Sequence, residues 1–343
     1  MASQPYGWGL IGASTIAAEH MIGAIRSQPG HDVVCVASRS PARARDYAAA
    51  HGIARACDSV AGLLADPAVQ AVYVSTTNER HRDDVLAAAA AGKHVLCEKP
   101  LALTLADARE MAAACEAAGV VMATNHHLRN AATHRRIRQA LREGAIGRPL
   151  FARVFHAVHL PAALRGWRID NPAAGGGVTL DIAVHDTDTL RFILDAEPLE
   201  AVAMAQAPVM ARQGLADGVM AVLRFDNGVL AQLHDAYTTP HAETGIEIHG
   251  ERGSLIGRNV MTQHPAGEVI LRDGAGERRL DVAHEDLYAR GVAQFCAALR
   301  GAGPAAATAA DGIRSLAAAL AIAEACRSGQ RVRIVQARAG EAP

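Results

Sequence analysis

The chain has 343 residues, half of them hydrophobic, a fifth charged and 3% aromatic, with a formal net charge of -1. That length suggests two domains rather than one. Near-neutrality gives no general attraction to nucleic acid or an anionic membrane, and no apolar run reaches the roughly 18 residues of a membrane span. With few aromatics, Ala, Val, Leu and Ile must fill the cores. The cysteines, Cys35, Cys57, Cys97, Cys115, Cys296 and Cys326, are scattered without a CxxC or a metal-ligand spacing. Together with the lack of a signal peptide, that predicts reduced thiols and a cytoplasmic location.

Residues 7–12 read as a first strand running into a tight turn at Gly12. Ser14-Thr15-Ile16-Ala17 then opens a helix to about Arg26. The spacing departs from G-x-G-x-x-G because Ala13, Ser14 and Ala17 occupy usual glycine sites. Small residues still let the backbone approach a pyrophosphate at a helix N-terminus. Alone, this is a weak signal. The next strand, residues 32–37, ends in Ser38-Arg39-Ser40-Pro41, with Arg43 and Arg45 on the following helix. A carboxylate commonly stands there to hold the adenosine ribose of NAD. A hydroxyl and guanidinium groups would instead bind a 2′-phosphate, favouring NADP, with plain exposed arginines as the alternative.

Strand and helix continue to alternate, as a parallel doubly wound sheet requires. Residues 71–74 form a strand ending in Ser75-Thr76-Thr77-Asn78-Glu79-Arg80-His81, and a helix runs to Ala91. Asn78 could cap it. A short strand at residues 95–97 then leads to Glu98-Lys99-Pro100. Only Lys93 and Lys99 are lysine among 34 Lys plus Arg. A lysine retained under such a bias suggests a place where Arg cannot substitute, since a compact ammonium changes pKa on burial and a guanidinium does not. Lys99 falls past the C-terminal end of a strand, where ligands bind in open α/β sheets. A structural ion pair with Glu98 is the competing reading. For Lys93, after a helix-ending glycine, solvated surface is the expectation. Lys99–Pro100 is a candidate cis bond. A helix over residues 105–118 and a strand at 120–123 complete a dinucleotide-binding domain, residues 1–124.

Residues 125–343 read as a substrate-binding α+β domain. A basic helix spans 133–142 and a strand 151–159; Gly166-Trp167-Arg168 and Gly175-Gly176-Gly177 precede a helix over 179–194. Alternating segments from Ala201 onward, divided by turns near Gly228, Gly250–Gly253 and Gly274, predict a mainly antiparallel open sheet. Helices near 288–300 and 308–327 close the chain. On the helix from Thr179, Asp181 and His185 are spaced i, i+4 and share a face. A carboxylate beside an imidazole raises its basicity and orients it for proton transfer. A surface pair, a satisfied core histidine and a metal site with His126, His127 or Asp186 are the alternatives; no metal-ligand spacing supports the last.

The stretches GLIGASTIA, STTNERH, AGKHVLCEKP and GGGVTLDIAVHD together resemble the Gfo/Idh/MocA oxidoreductase family along nearly the full chain. The Gly-Ala-Ser-Thr-Ile-Ala turn, TNHHLRNAATHR, GWR and GSLIGRNVMTQ are similar to a reductive branch of it. The resemblance implies a Rossmann domain plus an α+β domain, and NADPH-dependent reduction of 1,5-anhydro-D-fructose to 1,5-anhydro-D-mannitol. It implies Lys99 and His185 as the catalytic pair, with Asp181 beside them. Cofactor contacts are implied at Gly12, Ala13, Ser14, Thr15, Ile16, Ala17, Ser38, Arg39, Arg43, Thr76, Thr77, Asn78, Glu79, Arg80, His81, Glu98, Lys99 and Asn125. Trp167, Arg168 and Tyr288 are implied to line the cofactor and substrate site. The expected partner is a small cyclic sugar ketone, with no metal, nucleic acid or membrane, and the chain a monomer or a homo-oligomer through the C-terminal sheet. An oxidative sugar or inositol dehydrogenase, a non-catalytic NADP sensor and a metal-dependent lyase or hydrolase remain as rivals.

Overall fold

Six short parallel strands organise the first part of the chain in the computed structural model, which describes residues 6–335. They are β1 (Tyr6–Ile11), β2 (His31–Ala37), β3 (Arg55–Cys57), β4 (Ala71–Val74), β5 (His94–Cys97) and β6 (Met122–Thr124). Their order is β3-β2-β1-β4-β5-β6. Every residue of β4 is buried, as expected where helices cover both faces of a parallel sheet. The crossovers are α1 (Ile22–Arg26), α2 (Pro41–Ala50), α3 (Val60–Leu64), α4 (His81–Ala90) and α5 (Leu105–Ala117). Side-chain oxygens start three of them. Ser40 accepts from the Arg43 N–H, Ser59 from Gly62 and Thr104 from Asp107, satisfying donors that a helix leaves unpaired. The strand order reverses between β1 and β4, which opens a crevice at the C-terminal edge of the sheet.

β3 and α3 were not expected from the sequence. Three residues, Arg-Ala-Cys, are too short to show alternation. Their pairing brings Cys57 beside β2, and Cys35 and Cys57 form a disulfide. That corrects the expectation of six reduced thiols; Cys97, Cys115, Cys296 and Cys326 are free. Lys93 is also corrected. It is half-buried and its ammonium donates to the carbonyls of Asp66 (3.1 Å) and Val69 (2.6 Å), tying the end of α4 to the loop before β4. Asn78 does not occupy the N-cap of α4. It lies buried in a 3-10 turn, Asn78–Arg80, and Arg80 stands at the cap.

The compact units do not follow one cut near Thr124. The first comprises the chain to His126 together with Tyr288–Ile313; the second is His127–Leu287 with the chain from Arg314. Phe295 packs on Trp8 at 5.3 Å between ring centroids, and the Thr124 N–H donates to the Ala307 carbonyl at 3.0 Å. The returning segment therefore adds Phe295 to a core that already holds Trp8 and Tyr73.

The second unit is built on a nine-stranded sheet. Its strands are β7 (Pro149–Ala157), β8 (Pro198–Ala205), β9 (Gly218–Phe225), β10 (Leu230–Ala236), β11 (Gly245–Gly250), β12 (Gly253–Arg258), β13 (Glu268–Asp273), β14 (Gly276–Leu280) and β15 (Val332–Arg333). The order is β14-β13-β12-β11-β7-β10-β9-β8-β15. The pairing is antiparallel except between β7 and β10. Period-two alternation is clean on β9, where Val219, Ala221 and Leu223 are buried while Met220 and Val222 are exposed, the sign of one packed face. Its helices are α6 (Ala132–Arg142), α7 (Ala162–Asp170) and α8 (Val184–Leu194); α9 (Leu287–Leu299) belongs almost wholly to the first unit, and α10 (Ala309–Ser328) to the second from Arg314 on. Among the described residues no helix is long and apolar enough to cross a membrane.

The buried face of this sheet holds a carboxyl pair. Asp235 of β10 is fully buried beside Asp186 of α8, and His156 of β7 meets Asp186 at 2.8 Å. Burial, then the Asp186 carboxylate, push the Asp235 carboxyl well above its ordinary range. That direction favours the protonated carboxyl at Asp235 and leaves the charge on Asp186, which faces His156. The folded state binds a proton that the unfolded chain releases near pH 4, so this contribution is full below that pH. It is lost as pH rises towards the folded-state pKa. Asp235→Asn keeps the shape of the uncharged side chain and removes the titration. Urea midpoints measured from pH 4 to 8 should fall less steeply in the variant, and a parallel fall would show that Asp235 does not titrate in this window.

Candidate active site

In the first unit, the candidate residues collect where strands end. β1 runs out at Gly12, whose φ is +112°. A Cβ built there would lie 2.8 Å from the Ser75 backbone, so only glycine fits this turn between β1 and β4. Ser14 then starts the helix. Its hydroxyl accepts from the Ala17 N–H at 3.2 Å and meets the Ser75 hydroxyl at 2.8 Å. The first turns, Ala17–Met21, are π-helical, a geometry frequent at functional sites. Ala13 and Ala17 are buried, Ser14 and Ile16 half-buried and Thr15 exposed.

β2 ends at Ser38, followed by exposed Arg39 and Arg43. Arg43 reaches back and donates to the Ala13 carbonyl at 2.8 Å, and Tyr47 donates to the Ser14 carbonyl, also at 2.8 Å. Two side chains of α2 thus brace the turn after β1. Tyr47 was not singled out from sequence, because its contact is 33 residues away. The loop after β4 is partly committed to its own structure. Thr76 donates to Asp84 at 2.8 Å and Thr77 to Glu79 at 2.7 Å. His81 has no exposed surface; its nitrogens lie 3.0 Å from the Pro100 carbonyl and 3.2 Å from that of Thr76. Burial lowers its pKa. His81 therefore joins the two loops from inside, while Glu79 and Arg80 face solvent.

At the end of β5, Lys99–Pro100 is cis, as expected from the sequence, and Lys99 is half-buried. The Glu98 carboxyl beside it accepts from Tyr73, from Asn125 at 2.6 Å and from the Lys99 N–H at 3.3 Å. Burial raises its pKa; the Tyr73 and Asn125 bonds and the Lys99 charge oppose that. Tyr288 of α9, in the same unit, is buried and stacks on His20 at 4.4 Å.

In the second unit, Asp181 and His185 lie where a π-helical segment, Thr179–Ala183, passes into α8. Tyr237 donates to Asp181 Oδ2 at 2.8 Å and Arg168 to the same oxygen at 3.2 Å. Neither partner of Asp181 was deduced from the i, i+4 spacing, and Tyr237 is 56 residues distant. Burial, then the Asp181 charge, hold the Tyr237 hydroxyl well above its ordinary pKa, so it stays a donor. The Arg168 guanidinium lies over the Trp167 ring at 4.6 Å, so these two candidates share one end of α7. His185 is buried, edge-on to His127 at 4.8 Å. The glycine run serves packing. A Cβ on Gly176 would meet the Trp167 carbonyl at 2.6 Å, so the approach it permits is to this chain's own backbone. Among the described residues no group of three or more His, Cys, Asp or Glu is placed to hold a metal.

A parallel sheet with a glycine turn, a helix start and a lysine at its C-terminal edge, in a chain whose second unit carries a braced Asp and a histidine, defines a dinucleotide-dependent oxidoreductase. Residues 6–126 match the model of an oxidoreductase family with an NAD-binding Rossmann fold, and residues 134–256 match the GFO/IDH/MocA C-terminal domain. The chain belongs to the Gfo/Idh/MocA oxidoreductase family. It is 58% identical to a 1,5-anhydro-D-fructose reductase of Ensifer adhaerens over 95% of this chain and 98% of that protein. It is 31% identical to a myo-inositol 2-dehydrogenase of Thermotoga maritima over 69% of each. The aldose-aldose oxidoreductase of Caulobacter crescentus shares the fold, with a TM-score of 0.88 at 23% identity over 96% of this chain and 99% of that one.

Proposed function

We propose that the chain reduces 1,5-anhydro-D-fructose to 1,5-anhydro-D-mannitol with NADPH. The observation that carries this reading is the near full-length identity of 58% to a reductase of that sugar. The residues fit a dinucleotide. Gly12 lets β1 turn tightly against the Ser75 backbone, Ser14 opens a helix just after that turn, and Ser38 and Arg39 follow β2 where a carboxylate would repel a 2′-phosphate. The reduced nicotinamide, when bound, supplies the hydride. Lys99 polarises the ketone oxygen and stabilises the alkoxide that develops on it. His185 delivers the proton that completes the alcohol, a task worth about 10²–10⁴-fold for a positioned acid. Asp181, braced by Tyr237 and Arg168, fixes a negative charge one helical turn from that histidine.

The test is loss of reduced-nicotinamide absorbance with 1,5-anhydro-D-fructose, beside NADH and a myo-inositol/NADP control. Turnover of the anhydro sugar with NADPH supports the reading. Turnover of myo-inositol alone would move the chain to the dehydrogenase reading suggested by its Thermotoga maritima relative. The cofactor assignment has its own prediction. Arg39→Glu should raise the KM for NADPH by about tenfold or more, one lost charge-assisted contact plus repulsion, and leave the KM for NADH little changed. Equal effects on both would show that Arg39 does not meet the 2′-phosphate.

A further inference from the structure

Tyr73 sits in the middle of the sheet on β4, between Val72 and Val74, with no exposed surface. A phenylalanine would fill the same space, so the hydroxyl needs a reason: an unbonded buried hydroxyl is costly. It donates to Glu98 Oε1, which also receives the Asn125 amide at 2.6 Å. The other oxygen, Oε2, accepts the Lys99 N–H at a long 3.3 Å. The groups around the carboxyl come from every neighbouring element. They are Tyr73 from β4, Cys97 and Lys99 from the end of β5, and Asn125 from the end of β6. Tyr288 at the start of α9 acts on Tyr73, with His20 stacked behind it. Lys99 supplies positive charge, and burial acts against the ionised carboxylate.

We infer that Tyr73 is a positioning residue for Lys99, acting through Glu98. Its hydroxyl and the Asn125 amide hold one carboxylate oxygen and favour the ionised form against burial, while the second oxygen stays on the Lys99 backbone N–H. The role of Lys99 in turnover rests on the function proposed above; the link from Tyr73 to Glu98 does not. Without the phenol, the carboxylate loses one of two donors on the same oxygen and takes up a proton at a higher pH. A neutral Glu98 no longer sets a negative charge against the ammonium.

The chain has two lysines, so protein labelled with ¹³Cε-lysine gives two signals, and Lys99→Met assigns them. The Lys99 signal should carry the Glu98 titration as an inflection that Glu98→Gln removes. In Tyr73→Phe that inflection should move up by about one pH unit or more, as expected for one hydrogen bond to a carboxylate. The acid limb of kcat should move with it, and kcat should return to the wild-type value above the limb. Asn125→Ala, which removes the other donor to Oε1, should shift the inflection in the same direction and serves if Tyr73→Phe does not fold. An inflection that stays in place in both variants, or one that survives Glu98→Gln, overturns the inference. A shifted inflection in a protein that turns over no anhydro sugar sinks the proposed substrate and leaves the Tyr73–Glu98 link standing.

Discussion

Lys99→Met is expected to lower kcat by about 10³-fold, the upper range for removing one group that stabilises a developing oxyanion, while the dinucleotide still binds. Methionine keeps the length and the unbranched stem of lysine and deletes only the charge. The pocket turn at Gly12 and the residues after β2 lie on other strands and are untouched, so cofactor fluorescence titration should give a nearly unchanged Kd. An equal loss in kcat and kcat/KM would mark an interaction made in the transition state alone. Lys99→Arg should recover little. A planar guanidinium spreads its charge and needs more room than an ammonium, beside a carboxyl already bonded to Tyr73 and Asn125. Retention of more than a tenth of the turnover in Lys99→Met would remove it from the chemistry. The composition itself motivates the experiment, since only two of 34 basic Lys and Arg residues are lysine. The structure accounts for both: Lys93 caps two carbonyls, and Lys99 stands at the sheet edge.

What could be read from the chain was whatever rests on local pattern. The turn at Gly12, the hydroxyl and arginine after β2, the sequence Glu98-Lys99-Pro100 and the strand–helix alternation all depend on neighbours within a few residues, and each stands where the pattern put it. The Asp181–His185 spacing likewise pointed to a helix, which begins as a π-helical segment at Asp181 and is α-helical at His185. The remainder depends on distant partners. Cys35 and Cys57 meet only because β3 pairs with β2, and a three-residue edge strand has no periodicity to detect. The segment Tyr288–Ile313 returns to the first unit through Phe295 on Trp8, nearly the full chain apart. Tyr73 and Tyr237, fully buried, and the half-buried Tyr47 carry no local signal, because a tyrosine in or next to a strand or helix looks like core. Each hydroxyl nevertheless has a partner at the candidate site. In a chain with so few aromatics, a tyrosine in a core position is a usable signal, because phenylalanine or an aliphatic would serve packing alone.

Asp188→Ala should be the most damaging substitution for stability, at about 3–5 kcal/mol, the usual result of removing one partner from a buried ion pair. Asp188 lies on α8 with 1% of its side chain exposed and accepts from Arg129 through two bonds, at 2.6 and 2.7 Å. Ser315 of α10 donates to it at 2.8 Å, and Arg191 lies at 3.4 Å. Arg191 in turn grips Glu197 through two bonds, at 2.6 and 2.7 Å. One carboxylate thereby joins α8, the part of α10 that carries Ser315 and the turn His127–Asn130, all within the second unit. Alanine leaves the Arg129 guanidinium buried, 8% exposed, without its carboxylate. For a unit of this size each kcal/mol corresponds to roughly 2–4 °C, so Tm should fall by about 6–20 °C. The pair need not be worth that much in itself. Arg129→Met combined with Asp188→Leu removes both charges and fills similar volume, and should cost far less than the sum of the single changes. A strictly additive cycle would mean that the two groups do not act on each other. Because α8 carries His185, Asp188→Ala should also lose turnover as the temperature approaches its lowered Tm. Below that range kcat should remain close to wild type, which separates a scaffold that positions the histidine from a group that takes part in the reaction.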